Sequence, residues 1–265
     1  MTEFSILENP NSKRKKIKRN YTPEDYDRVM RLLNEGKSLN EISKITGIPK
    51  STLSYWKRGI HKPTRAQWKP KPCPELAYVI GCLLSDGYSY ERKEEQHYEN
   101  TLYATDLEYV KHFSKCMATI LGRKENKIQY RERPKRGEKG WIVQYGSAAF
   151  HYWWKKQTLQ TLKPYIEHSE ECIKEFLKGF FDGDGGCSGG RVYACNTDRN
   201  LLEYIRALLN RLGVRIGKIS IRVKAGSKAV IRGKEYVRKR DCYELYVNKN
   251  DFLRKIGFTI KRKNR

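Results

Sequence analysis

Two Asp-Gly pairs, Asp86-Gly87 and Asp184-Gly185, are the residues of this chain whose type and placement point to chemistry. Each follows an apolar run at helical spacing, PELAYVIGCLLSDGY in one case and IKEFLKGFFDGDGG in the other. Each aspartate is therefore expected in the last turn of a helix. That end already carries the negative pole of the helix macrodipole, which disfavours a carboxylate. Where two such helices lie together their aspartates repel, and a cation must compensate. A divalent metal ion does this with hard oxygen donors: the two carboxylates and the unsatisfied terminal carbonyls of Ser85 and Gly183. One Asp-Gly alone is an ordinary turn. Two copies in matching context outweigh that reading.

The helices that must bring these acids together carry their own signal. Gly81 and Ser85 are four apart in the first, Gly179 and Gly183 in the second. Small residues at that spacing form a flat stripe along which two helices approach until their backbones touch. Glycine inside a helix costs about 1 kcal/mol relative to alanine, so close packing must offset it. Gly87 and Gly185 are expected to cap the helices at their C-terminal ends. Asp182, two residues before Asp184, lies on another face of its helix and is expected to be structural. Beyond these helices the chain repeats itself. Strand-like sequence leads to Thr105-Asp106 and to Thr197-Asp198, each opening a helix that ends at Leu121-Gly122 or Leu212-Gly213. Two strands and a short helix, starting near Ala148 and near Asn250, close each half. The order αββαββα, twice, predicts an α+β protein with two subdomains about a pseudo-two-fold axis, at 75–165 and 166–265.

VIGCLLSDG (Val79–Gly87) and LKGFFDGDG (Leu177–Gly185) resemble the paired motifs of the LAGLIDADG endonucleases, and the resemblance runs from about Pro74 to Gly257. It implies a saddle built of tandem αββαββα repeats and a monomer carrying both motifs. It makes Asp86 and Asp184 the catalytic acids and implies Mg²⁺, with Mn²⁺ as a substitute ion, between them over the DNA minor groove. The implied reaction is in-line attack of an activated water on each strand, giving a staggered double-strand break at a long site, the chemistry of intron homing. The sequence departs from that pattern at Ala104 and Cys187, where relatives carry polar side chains that assist the water network. Thr105, Asn196 or Arg191 are the candidates to replace them. Two other functions use the same scaffold, an intron RNA maturase and a non-catalytic DNA-binding transcription regulator. Such regulators lose the motif acids, and both acids stand here.

Charge points to the same partner. With 55 Lys and Arg against 30 Asp and Glu the formal net charge is +25, which favours a polyanion through counterion release. Double-stranded DNA is the expected partner, with intron RNA as a further one. Membrane is not expected, because no apolar run approaches a span. MTEFSILENP lacks a signal peptide's apolar stretch, and the seven cysteines are dispersed without a CxxC pair, so reduced thiols in an intracellular protein are expected. In KISIRVK (Lys218–Lys224) strict alternation places Lys218, Ser220, Arg222 and Lys224 on one strand face and Ile219, Ile221 and Val223 on the other. Gln129, Arg131 and Arg133 alternate in the same way in the first half, with Lys135, Arg136 and Lys139 following. These two faces, together with Arg191, are the predicted DNA-reading surface.

Ahead of the repeats lie a basic arm (1–20, with KRKKIKR), a helical module (21–59) and a proline-rich linker (60–74). Thr22-Pro23 and Ser38 read as helix starts, Gly36 and Gly47 as stops, and Pro49 opens a third helix. The module resembles a trihelical helix-turn-helix. Ile48, Leu53 and Trp56 are expected inside, leaving Lys50, Ser51, Ser54, Tyr55 and Lys57 to enter a major groove.

Overall fold

A computed structural model describes residues 21–60, 62–63, 68–92, 97–133, 137–231 and 233–264. The basic arm at 1–20, Lys135, Arg136 and Arg232 lie outside the described residues. The chain divides into two units, Met1–Ala66 and Gln67–Arg265, so the division falls within the proline-rich stretch.

The first unit holds three helices, α1 (Pro23–Asn34), α2 (Leu39–Thr46) and α3 (Lys50–Lys57). Thr22 with Asp25, and Ser38 with Glu41, form reciprocal capping boxes that satisfy first-turn amides. Gly47 at φ 70° ends α2, a conformation that glycine adopts without a Cβ clash. Val29, Ile42, Ile48, Leu53 and Trp56 form the core, with Tyr21 and Tyr26 edge-on to the Trp56 ring.

The second unit begins with α4 (Pro74–Leu83), β1 (Tyr88–Arg92), β2 (His97–Ala104), α5 (Leu107–Leu121), β3 (Gln129–Arg133), β4 (Glu138–Gly146) and α6 (Ala148–Lys155). A connecting helix α7 (Leu159–Ile166) leads to α8 (Glu170–Asp184), β5 (Gly185–Ser188), β6 (Arg191–Asn196) and α9 (Arg199–Arg211). Then follow β7 (Ile216–Val223), β8 (Lys228–Ile231), β9 (Lys234–Val237), β10 (Cys242–Asn248), α10 (Lys249–Lys255) and a 3-10 turn at Lys261–Asn264. The two four-stranded antiparallel sheets have the same strand order, β1-β2-β4-β3 and β5-β6-β10-β7. This is the α+β fold of two αββαββα halves expected from the repeat.

Two features differ from that expectation. The basic stretch after β7 does not continue its face. Gly226 (φ 81°) and Gly233 (φ 74°) turn the chain into a separate two-stranded ribbon, β8–β9, inserted before β10. The alternation in β7 also breaks. Ile219 and Val223 are half-buried, but Ile221 is 47% exposed. β7 is an edge strand, and its register against β10 shifts at Cys242/Tyr243, beside Ile221.

The halves have separate cores that share α4. Leu76, Ala77 and Ile80 pack into the core of the second half, with Phe176, Phe180 and Phe181 of α8. Tyr78, Val79 and Cys82 of the same helix pack into the core of the first, with Phe113, Tyr145 and Phe150. A helix that is apolar all round is what such a central position requires.

Candidate active site

The glycine stripe sets how closely α4 and α8 pack. A methyl group on Gly81 would overlap the Phe176 carbonyl oxygen, and one on Gly179 would overlap that of Tyr78. Here the two backbones touch, and no side chain larger than hydrogen fits. At Gly183 the obstacle is a side chain and not backbone, the Ser85 hydroxyl together with the Ser85 Cβ at 2.7 Å. Ser85 Oγ lies within 3.1 Å of the Gly81 and Cys82 carbonyl oxygens and 3.4 Å from the Tyr109 hydroxyl oxygen.

The two Asp-Gly pairs end this helix pair differently. Asp184 is the last residue of α8, whereas α4 ends at Leu83 and Asp86 stands in the turn that follows. Gly185 is the C-cap of α8, as expected from the sequence, whereas Leu84 caps α4 and Gly87 lies beyond it. Gly185 is extended (φ −103°, ψ 165°), and Gly87 is absent from the positive-φ glycines of the described residues. What requires glycine is proximity. A Cβ on Gly185 would lie 2.6 Å from the Phe181 carbonyl oxygen, and one on Gly87 would lie 3.0 Å from that of Cys82.

Solvent reaches Asp86, and Asp184 is half-buried. Burial among neighbouring groups is the main influence on both and raises both pKa values. For Asp184 the pKa is pushed up to about 7, with the charge of Asp86 adding to the rise. Asn196 Nδ2 donates to Asp184 Oδ2 at 2.5 Å and opposes it. So Asp184 senses the charge of Asp86 across the helix pair. Among the described residues no group of three or more His, Cys, Asp or Glu gathers to hold a metal. A cation here would depend on the two carboxylates, main-chain oxygens, water and substrate.

Asp182 faces elsewhere. It is 2% exposed and accepts from the Tyr78 hydroxyl (2.8 Å) and the Thr259 amide (3.0 Å). Of the three proposed replacements in the water network, the structure brings Asn196 to the acids. Thr105 contacts Asp106 (3.4 Å), and the Arg191 guanidinium lies over the Tyr246 ring.

Sequence reasoning missed Lys263. Its ammonium is buried and donates to the carbonyl oxygens of Asp182 (2.6 Å), Gly185 (2.7 Å) and Phe181 (3.3 Å), and its charge lowers the pKa of both Asp86 and Asp184. No periodicity in the terminal run KRKNR marks one of its lysines as inward-facing.

The predicted reading residues fall at corresponding places in the two sheets. β3 and β7 each form a sheet edge, beside β4 and β10 respectively. Gln129 and Arg131 on β3 are exposed and bonded to each other (2.6 and 3.0 Å), and Arg133 ends that strand. Lys218 on β7 and Lys224 just after it are exposed, while Arg222 reaches Cys195 Sγ (2.8 Å) and Glu244 (3.9 Å). In the first unit Lys50, Ser51, Tyr55 and Lys57 of α3 are exposed and Ser54 is half-buried.

Residues 171–257 match the LAGLIDADG-like domain. Uncharacterized protein MJ0398 of Methanocaldococcus jannaschii is 30% identical over 257 residues, 89% of this chain and 91% of that protein. Uncharacterized protein MJ0314 of the same organism is 28% identical over 151 residues, 54% of this chain and 56% of its own length. The solved structure of the homing endonuclease I-DmoI in complex with DNA and Ca superimposes with a TM-score of 0.50 at 21% identity, over 69% of this chain and 88% of that one. That likeness is one of fold.

Proposed function

The chain belongs to one family with uncharacterized protein MJ0398 and carries a LAGLIDADG-like domain, and from that premise we propose that it is a site-specific, metal-dependent DNA endonuclease. The observation that carries the proposal is the pair of acids at the ends of two helices whose backbones touch, Asp184 responding to the charge of Asp86. Two carboxylates held this way raise each other's energy and form a site that favours a divalent cation. The donor set is all oxygen, Asp86, Asp184 and the Ser85 and Gly183 carbonyls, and suits Mg²⁺ or Mn²⁺. When bound, such an ion supplies an activated water and charge stabilisation for phosphodiester hydrolysis. Asn196 holds one Asp184 oxygen, which leaves the other free to help hold an ion. The glycine contacts keep the acids from separating.

DNA binding is assigned to the basic strands β3 and β7, together with Arg191 of β6 and the β8–β9 ribbon that follows β7 in the chain. The first unit is assigned as a helix-turn-helix reader, α3 entering the major groove. Both acids lie on one chain, so a monomer suffices for both strands.

The test is cleavage. Plasmids carrying DNA that flanks the gene, with any intervening element removed, are incubated with the protein in Mg²⁺ or in EDTA. Linear product in Mg²⁺, absent in EDTA and with Asp184→Asn, is expected. Tight, salt-sensitive binding with no strand scission in Mg²⁺ or Mn²⁺ would instead make the protein a DNA-binding regulator.

A further inference from the structure

The segment after α10 starts in the second half and ends on the first. Ile260 is 1% exposed and sits in the core of the first half, with Tyr78 and Phe113. Arg262 makes a two-pronged ion pair with Asp106 at the start of α5, both contacts at 2.7 Å. The Lys261 amide donates to Glu108 of the same helix (2.8 Å). The Thr259 and Ile260 amides donate to Asp182 of α8 (3.0 and 3.5 Å), and Thr259 also meets the Tyr78 hydroxyl of α4 (3.1 Å). Asn264 folds the segment back on itself, its side chain accepting from the Phe258 amide and donating to the Phe258 carbonyl. These bonds hold Lys263, whose ammonium takes main-chain carbonyls at the end of α8.

We propose that Phe258–Asn264 is a clasp joining the two halves across the α4–α8 pair, and that Lys263 is a positioning residue, the resident counter-charge of the Asp86–Asp184 pair. The proposal rests on the reading of those two aspartates as the acid pair of the site. A buried ammonium loses most of its hydration and must recover it from fixed oxygens; three carbonyls do so here. Those carbonyls belong to the negative end of α8, where a cation is favoured and an unaccompanied carboxylate is not. Placed there, Lys263 offsets helix dipole and acid repulsion together, so the pair stays assembled before a metal ion arrives. The lysine is occupied by backbone oxygens, so the carboxylates remain available to a divalent ion.

The test separates counter-charge from ordinary helix capping by a double-mutant cycle in thermal unfolding, in EDTA and without DNA. Lys263→Gln keeps a hydrogen-bond donor and removes the charge. It is expected to lower Tm in the wild-type background by at least about 3 °C more than in the Asp184→Asn background. Mg²⁺ is then expected to raise the Tm of Lys263→Gln more than that of the wild type, since the ion replaces the missing charge. Equal losses in both backgrounds would reduce Lys263 to a cap and overturn the proposal. If Lys263→Gln alone does not fold, the double variant is expected to fold; its failure as well would count against the counter-charge. Cleavage plays no part in this cycle. A wild type that cuts no DNA overturns the endonuclease reading, whereas an additive cycle in a wild type that cuts overturns the clasp alone.

Discussion

The two halves of the repeat share a strand order and differ around their acids. In the second half, β6 ends at Asn196, which bonds Asp184. In the first, the matching strand β2 ends at Ala104, and each strand is followed by Thr-Asp. Asp184 is thus fixed on one side and half-buried, while Asp86 stands in a turn open to solvent. The sheets differ too. β2 and β4 pair without interruption from Glu99↔Gly146 to Ala104↔Trp141, whereas β7 against β10 shifts register and precedes the inserted ribbon. Duplication preserved what both halves need, the helix contact and the sheet. The residues around each acid, proposed to serve one strand of a DNA substrate apiece, differ between the halves.

The largest effect is expected at the acids. Asp86→Asn and Asp184→Asn should each reduce double-strand cleavage by about a thousandfold, the ~4 kcal/mol expected from losing metal charge stabilisation, while target binding survives. A gel that resolves nicked from linear plasmid tests the asymmetry. Slow nicking of opposite strands by the two variants would show that each half serves its own strand, and identical products from both would remove the distinction. Asp182→Asn should leave cleavage within about tenfold but destabilise the protein by about 1–3 kcal/mol, because its oxygens accept from Tyr78 and from buried amides.

Next come the glycines that join the halves. Gly81→Ala drives a methyl into backbone and should cost about 3 kcal/mol in denaturant unfolding. Gly183→Ala meets Ser85 and not backbone, but the Ser85 Cβ at 2.7 Å cannot rotate away, so a loss of about 1–2 kcal/mol, smaller than at Gly81, is expected. Equal losses would mean that the contact is no closer at Gly81 than at Gly183.

A smaller effect follows from Asp184 alone. Its folded pKa, about 7, lies above the unfolded value of about 3.9, so its ionisation opposes folding. The penalty is absent below about pH 4, grows as pH rises and is complete above about pH 7. In EDTA the Tm should therefore fall between about pH 4 and about pH 7, and Asp184→Asn should flatten that part of the curve. A steeper dependence in the variant would exclude Asp184 as its source. The smallest change concerns its partner. Asn196→Ala should move the Asp184 titration to higher pH, since that hydrogen bond favours the ionised form, and move that of Asp86 less; carboxyl NMR would follow both.

Much of the site was legible because local rules govern it. The small-residue stripe at Gly81, Ser85, Gly179 and Gly183 marks a helix contact in any context, and two Asp-Gly pairs at matching positions mark its polar end. Capping boxes at Thr22 and Ser38 are likewise written within four residues. The reading erred where a residue type has two uses. Gly185 caps α8 as read but Gly87 does not cap α4, and both are glycine because a carbonyl approaches them, whose position follows from the path of the chain and not from the dipeptide. The two-stranded ribbon after β7, made by turns at Gly226 and Gly233, was not legible in the basic stretch that forms it.

By itself, then, the sequence determined the duplicated αββαββα order, the helix pair and the aspartates, because periodicity, propensity and small-residue spacing act over a few residues. Only the tertiary structure decided that Asn196 is the residue that reaches Asp184, and that Lys263, distant from α8 along the chain, is buried against its end. Both depend on how separate elements pack, and no spacing within the sequence encodes the distance between them.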